Sequence, residues 1–506
     1  MKADGHRSAG SWYCGVLRSG SSRLAWLLGV ALMCAPQAGA GEAGPALPAT
    51  SALPALTLEE ALDAALKNNR DLKTLALSLQ GRKLTLDAAH AAFRWRWSPD
   101  GRAEAGSEDG TFQYGLTAAR RTELGTEASV SGRLRYENAS GDTDPHRAVI
   151  TARLEQPLLR RFGTLVNREP ITSAESQVAA ARREVELKRT DLVLSVVEAY
   201  EDLYRLQRQT ELAGRTLERL RQFAALTRAR ERQGRASRSD TLRAEQKLGN
   251  AQIWVATSLE TLASRRADFA DLLGAASGAA WEVLPAARLD VPASAVTEAE
   301  GVALSNRLDY AQIQQDCDDA ARGLRIARRS LLPDLKVISS YEQYGAGDSP
   351  GSALRSDTDI WFVGLAVDGE FPRTAERIAA DRAALGVDAS GIRLDAVRAG
   401  IARQVRQELG ACERLKQQVT LAERNHVVAR GRVKLARRQF ESGKGDSFFV
   451  ANAEDELRDA EQQMLDAEAG ASVSAYRVLR VLGTLIEAPP DLKPKPGREG
   501  QGKAGA

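Results

Sequence analysis

Cysteine is nearly absent, with four in 506 residues. Cys14 and Cys34 fall in an N-terminal leader, so only Cys317 and Cys412 remain, one in each of two separate helical stretches. A chain of this length with so few cysteines is held together by its size and not by a disulfide framework. Rings are scarce too: ten Phe, nine Tyr and seven Trp. Leu, Ala, Arg, Glu and Gln dominate instead, a bias toward strong helix formers and away from sandwiches and propellers. Nor is there an excess of one charge. The net charge is +3, and removing the first 40 residues, with four basic and one acidic side chain, leaves 66 of each sign. A nucleic-acid binder needs a basic excess, so nucleic acid is excluded as a partner. After the leader no apolar run reaches the ~18 residues of a membrane-spanning helix. A place in a membrane would have to be reached with strands.

Catalytic constellations are missing as well. His90, His146 and His426 have no partner at metal-ligand spacing, and there is no His-Glu-x-x-His. No Gly-x-Ser-x-Gly elbow occurs, and Gly443-Lys444-Gly445 lacks the upstream glycine and following hydroxyl of a phosphate-binding loop. The carboxylates sit at heptad positions where Glu and Arg ordinarily form a solvated face. The reading is therefore no enzyme, no cofactor and no metal. Asn138-Ala139-Ser140 matches a glycosylation sequon, a pattern common by chance.

What is present begins with an export signal. Lys2, Arg7, Arg18 and Arg23 precede the apolar run Leu24 to Cys34, followed by Ala38-Gly39-Ala40 in the small-x-small pattern of a cleavage site. Residues 1–40 are read as a signal peptide with the mature chain starting at Gly41, and 41–55 as a linker. Met33 is larger than the residue that lipoprotein processing at Cys34 takes.

Proline placement sets the architecture, because proline inside a helix costs ~3 kcal/mol. None occurs between Pro170 and Pro285 or between Pro372 and Pro489, windows of 114 and 116 residues. Each is interrupted near its middle, by Gln233-Gly234-Arg235 and by Ser442-Gly443-Lys444-Gly445. Two long helices joined by a glycine turn are expected in each window, of about 45 to 60 residues apiece. The windows are copies at a constant offset of 209: Gly234 matches Gly443, Ala244-Glu245 matches Ala453-Glu454, and Leu273-Gly274 matches Leu482-Gly483. This is a duplication of a whole unit, with 56–284 as the first copy, 297–487 as the second and 488–506 as a disordered Pro/Gly/Lys tail. Heptad seams run along both windows, through Leu192, Val196, Leu203 and Leu206 in one and Ile401, Val405, Cys412 and Val433 in the other.

Before each window the period changes to two. Residues 124–136 and 148–155 alternate apolar with charged, as Val130, Leu134, Ile150 and Leu154 against Arg133, Arg135, Arg153 and Glu155. Residues 335–341 and 358–367 are strand-like in the second copy. An apolar outer face over a polar inner one, in segments near ten residues, suits a lipid-exposed barrel. Two strands per copy make four per chain, too few to close, and three chains would supply twelve. Phe112 to Ala118 stands as a third strand of the first copy that this count leaves open.

The stretches Leu56-Thr57-Leu58-Glu59-Glu60-Ala61-Leu62, Asn68-Asn69-Arg70-Asp71-Leu72 and Leu154-Glu155-Gln156-Pro157-Leu158-Leu159-Arg160-Arg161-Phe162-Gly163, in this duplicated order, resemble the TolC-type outer-membrane efflux protein family. That resemblance implies a mainly α chain with membrane β-strands: a homotrimer sharing one β-barrel in the outer-membrane lipid and a long α-helical coiled-coil barrel in the periplasm. It implies a passive exit duct of a tripartite efflux or type I secretion system, served by a periplasmic adaptor (membrane fusion protein) and an inner-membrane transporter of RND or ABC type. The turns Gly234-Arg235 and Gly443-Lys444-Gly445 would meet the adaptor. The family closes its tunnel with acidic residues six and nine positions after the second turn glycine. Here those positions are Phe449 and Asn452, with Asp240 and Arg243 in the first copy and Asp446 as a further gate residue. The competing reading is a periplasmic coiled-coil adaptor or scaffold without membrane strands.

Overall fold

A computed structural model of the chain describes residues 53–105, 110–138, 144–276, 278–287, 289, 296–355, 358–369 and 371–495. The leader with Cys14 and Cys34, the cleavage point at Gly41, Ala139 and Ser140 of the sequon, and the last eleven residues lie outside them. In chain order the elements of the first half are β1 (Ala55–Leu56), α1 (Leu58–Asn68), α2 (Arg70–Ala91), β2 (Arg96–Ala105), β3 (Gly110–Arg121), β4 (Glu127–Asn138), β5 (His146–Pro157), α3 (Thr164–Asn167), α4 (Glu169–Arg232), α5 (Arg238–Leu273) and β6 (Glu282–Val283). The second half follows with α6 (Val296–Asn306), α7 (Leu308–Ser330), β7 (Asp334–Gly347), α8 (Pro350–Ala353), β8 (Thr358–Asp368), α9 (Thr374–Glu441) and α10 (Ser447–Leu482).

The duplication is visible element by element. Helices α1 and α6 have 11 residues each, α2 and α7 have 22 and 23, and α5 and α10 have 36 each. Helices α4 and α9 run for 64 and 68 residues, about 100 Å at 1.5 Å per residue. The two helices of a hairpin are thus unequal. The first begins at its window's opening proline: α4 takes Pro170 into its first turn, and α9 starts two residues after Pro372. The second stops at Gly274 or Gly483, both left-handed at φ 69 and 72°, well short of the closing proline.

The heptad seams bury where expected. Leu220, Phe223 and Ala224 of α4 meet Ala244 and Ala251 of α5, Val433 and Phe440 of α9, and Val450 and Leu457 of α10 in one core that joins both hairpins. A second core forms where α1 and the end of α5 pack on α4, around Leu192, Val196, Tyr200 and Leu203 with Phe269 and Leu273. Here β1 and β6 pair in parallel. The buried Tyr200 donates its hydroxyl to the Leu284 carbonyl at 2.7 Å and accepts from the Leu284 N–H at 3.1 Å. Burial, against the opposing pull of that hydrogen bond, pushes its pKa up to about 12.

Six antiparallel strands form one sheet in the order β2-β3-β4-β5-β7-β8. This corrects the count of four strands per chain. Four come from the first half, since the region of Phe112 is a full strand and Arg96–Ala105 is another. The expected strand at 124 starts only at Glu127, because Gly125, at φ 94°, closes a tight turn in which the Thr122 N–H donates to the Thr126 carbonyl at 2.9 Å. Strands β2, β5, β7 and β8 join helices at one and the same end of the sheet. Among the described residues no helix is long and apolar enough to cross a membrane.

The expected disordered tail is also corrected over 488–495. Pro490–Leu492 forms a 3-10 turn, and Leu492 and Ala488 are buried against Leu308. The buried Arg183 guanidinium donates to the Leu492 carbonyl at 3.3 Å and to Gln312 and Gln315.

Candidate functional site

The two hairpin tips lie side by side. At the first, Gly234 has φ 66°, its N–H donates to the Glu231 carbonyl, and the Arg235 N–H reaches back to the Arg230 carbonyl at 2.8 Å. At the second, Gly443 has φ 74° and the Lys444 N–H reaches the Gln439 carbonyl at 3.0 Å. Both are helix stops that need a left-handed residue. A Cβ at either glycine would meet nothing within 4 Å. Gly445 has ordinary φ but is pressed against Gln439, at 3.1 Å from an added Cβ.

Immediately after the turns, Ser237 and Asp446 occupy matching cap positions. Ser237 and Asp240 form a reciprocal capping box on α5, and the Asp446 carboxylate accepts the Phe448 N–H on α10. Asp240 and Arg243, offered by sequence as gate positions, are engaged between the hairpins. The buried Ser447 donates to Asp240 Oδ1 at 2.5 Å and accepts from Arg243 at 3.0 Å. The Arg243 guanidinium lies 3.6 Å from Asp240 and 3.9 Å from Asp446. Burial opposes ionisation of Asp240, but the donors from Ser237 and Ser447 outweigh it and hold its pKa at about 2. Arg230 completes the joint: it donates to the Phe440 and Glu441 carbonyls at the end of α9 and lies 4.6 Å over the Phe440 ring.

Phe449 and Asn452 stand elsewhere. Val450, Ala451 and Ala453 turn into the core, which leaves Phe449 60% exposed on the opposite side and Asn452 half-buried beside it. Phe448 is exposed too, its ring 6.2 Å from that of Phe449 and 5.5 Å from the Arg243 guanidinium. No described residue buries the Phe449 ring.

Sequence reasoning missed Ser447, Arg230 and a buried ion cluster above the tips. Glu454, 2% exposed, accepts from Arg219 of α4 at 2.9 Å and from Arg437 of α9 at 2.6 Å. Glu461 nearby is pushed up in pKa by burial, against the attraction of Arg219. A signal existed: Arg228 and Glu245 pair at 2.9 Å in the first copy, and both partners recur 209 residues later as Arg437 and Glu454.

At the other end of the molecule, register sorts the sheet into two faces. Trp97, Leu116, Val130, Ile150, Tyr341 and Trp361 fall on one, and all are 36% exposed or more. Arg133 with Asp100, Arg153 with Glu155 and Lys336 with Asp368 form ion pairs on the opposite face. An apolar exposed face backed by a charged one has the polarity of a membrane barrel wall.

The chain matches the outer membrane efflux protein family over residues 112–275 and 301–484. It is 26% identical over 180 residues to the fusaric acid resistance protein of Burkholderia cepacia, a match spanning 35% of this chain and 34% of that relative. Among solved structures it resembles the channel-forming protein CusC, at TM-score 0.67 and 16% identity over 84% of this chain and 92% of that one. It likewise resembles the outer membrane protein VceC of Vibrio cholerae, at TM-score 0.66 and 15% identity over 84% and 96%. The open-state MtrE outer membrane channel of Neisseria gonorrhoeae gives 0.64 and 16% over 85% and 90%. These likenesses establish the fold.

Proposed function

Because the chain belongs to the outer membrane efflux protein family, we infer that it works as a passive exit duct, three copies sharing a β-barrel in the outer membrane and a helical tunnel in the periplasm. The observation that carries this reading is the sheet: six strands, one exposed apolar face, and two edges that no other described strand pairs. An open edge in lipid would leave backbone groups unpaired, so the sheet must close with other copies. The helices support the same conclusion. Ile378, Leu385 and Ile392 of α9, and again Leu421, Val428 and Leu435, repeat at seven-residue spacing with 57 to 72% exposure. These are seam positions awaiting a neighbouring helix.

In this reading the hairpin tips meet a periplasmic adaptor, and an inner-membrane transporter of RND or ABC type drives transport. The exposed Gly234-Arg235 and Gly443-Lys444 turns present open backbone and positive charge there, with Gly445 half-buried behind Lys444. Phe449 and Asn452 ring the narrow end on the threefold axis, where the exposed Phe449 side chain meets its copies. The partial similarity to a fusaric acid resistance protein favours a small toxic compound as cargo. A periplasmic scaffold would have no use for the apolar sheet face. Fractionation tests the reading: the chain is expected in the outer membrane as a detergent-stable, heat-modifiable species with the mass of three chains. A soluble periplasmic monomer would overturn it.

A further inference from the structure

We propose that the edge strands β2 and β8 of adjacent copies pair with each other, so that the outlet is a barrel of eighteen strands, a porin-sized bore and not a narrow twelve-stranded one. This rests on the threefold reading above and adds what the sheet itself says about closure. Three sheets of six strands supply eighteen. The strands alternate strictly in direction, so β8 of one copy and β2 of the next run antiparallel, as barrel closure requires.

A closure through β4 would also be antiparallel, with the hairpin β2–β3 set aside, so the choice depends on how that hairpin is held. It is built into the wall. Strand β3 pairs with β4 along its whole length, from Gly110↔Asn138 to Arg121↔Glu127, and β2 pairs with β3 from Arg96↔Ala119 to Ala105↔Gly110. On the charged face Arg133 of β4 reaches across β3 to Asp100 of β2, at 3.9 Å. Residue 115 lies between them, and a Cβ there would stand 2.8 Å from Asp100 and 2.9 Å from Arg133, so glycine keeps the crossing open. On the other face Phe112, Tyr114 and Leu116 of β3 and Trp97 of β2 continue the exposed apolar band, 47 to 66% exposed. A hairpin folded away from the wall would carry that band out of lipid.

Barrel diameter grows roughly in proportion to strand number, and barrels of about 16 to 18 strands leave an aqueous channel. Eighteen strands widen the bore about 1.5-fold over twelve. The outlet then does not sieve cargo, and the helical end remains the constriction.

The test is disulfide trapping in the outer membrane, in full-length chains carrying Cys317→Ser and Cys412→Ala. Gly364→Cys on the charged face of β8, where an added Cβ meets nothing, is combined in turn with Ser98→Cys, Asp100→Cys or Arg102→Cys on β2. A second set combines it with Ser129→Cys, Ser131→Cys or Arg133→Cys on β4. Mass in detergent is measured on every variant, which separates failure of the threefold reading from failure of this closure. The expected result is a three-chain species with inter-chain disulfides in at least one β2 combination and none in the β4 set. Disulfides in the β4 set, or a three-chain species with none in either set, would overturn the eighteen-strand barrel.

Discussion

Four glycines in left-handed conformation occupy duplicated positions, and the structure assigns them unequal costs. Gly234 and Gly443 have φ 66 and 74° with nothing within 4 Å of an added Cβ. Replacing either by Ala or Asp therefore costs only the left-handed strain of about 1–2 kcal/mol. Gly274 and Gly483 carry the same strain and an overlap besides. A Cβ at 274 would stand 2.7 Å from the Asn68 carbonyl oxygen, and at 483 it would stand 3.0 Å from the Asn306 carbonyl carbon. These contacts are with backbone at the junction of two helices, where Asn69 also donates to the Leu272 carbonyl at 3.3 Å. Overpacking of that kind adds about 1–3 kcal/mol, so each substitution removes a sizeable share of the roughly 5–15 kcal/mol a folded protein holds. The assay is trimer yield in outer-membrane fractions beside export by intact cells. Gly234→Asp and Gly443→Asp are expected to leave trimer near normal and to abolish export if the tips meet the adaptor as proposed. Gly274→Ala and Gly483→Ala are expected to lose trimer. If the tip variants lose trimer as fully as the joint variants, the turn glycines serve folding alone.

Phe449→Ala is expected to raise single-channel conductance and Phe449→Asp to add cation selectivity, since a carboxylate ring would replace an apolar one; a destabilised trimer with unchanged conductance would make Phe449 a packing residue. Asp240, held at about 2 from an ordinary 3.8, stabilises the folded state above about pH 4, and that stability is lost as pH falls through about 2, roughly 2 kcal/mol in all. Heat dissociation of the trimer between about pH 5 and about pH 2 checks this: Asp240→Asn is expected to be weaker at the upper end and flatter across the window, and slopes equal to wild type would contradict it. Glu454→Gln leaves Arg437, 30% exposed, without its counter-charge and Arg219, 22% exposed, with Glu461 alone at 3.7 Å, in a largely buried site. The expected loss is about 3 kcal/mol in chemical denaturation, with recovery in the Arg219→Met, Arg437→Met, Glu454→Leu triple variant, and no recovery would show that packing matters more than charge.

The helical part was legible from sequence because proline and glycine act locally. Two proline-free windows and two glycine turns sufficed to place α4, α5, α9 and α10, and the offset of 209 tied Gly234 to Gly443 and Gly274 to Gly483. Strand β2 escaped because its outward positions are Trp97, Pro99, Gly101 and Ala103, with little apolar alternation to detect. Pro99 hides the strand further, because proline is depleted in strand interiors. The order of residues 488–495 escaped because Leu492 is a single apolar residue among Pro and Lys, buried only through a helix junction distant in sequence. The tip cluster was half legible. Counting from the glycines found Asp240 and Arg243, but Ser447, which joins them across hairpins, carries no periodic signal.

Whether this chain forms a conduit is tested most directly by purifying it from outer membranes, fixing its mass in detergent and adding it to planar lipid bilayers. A species of three chains that produces stepwise ion currents is the result expected. A three-chain species that inserts and never conducts, or a monomer that does not insert, would contradict the duct.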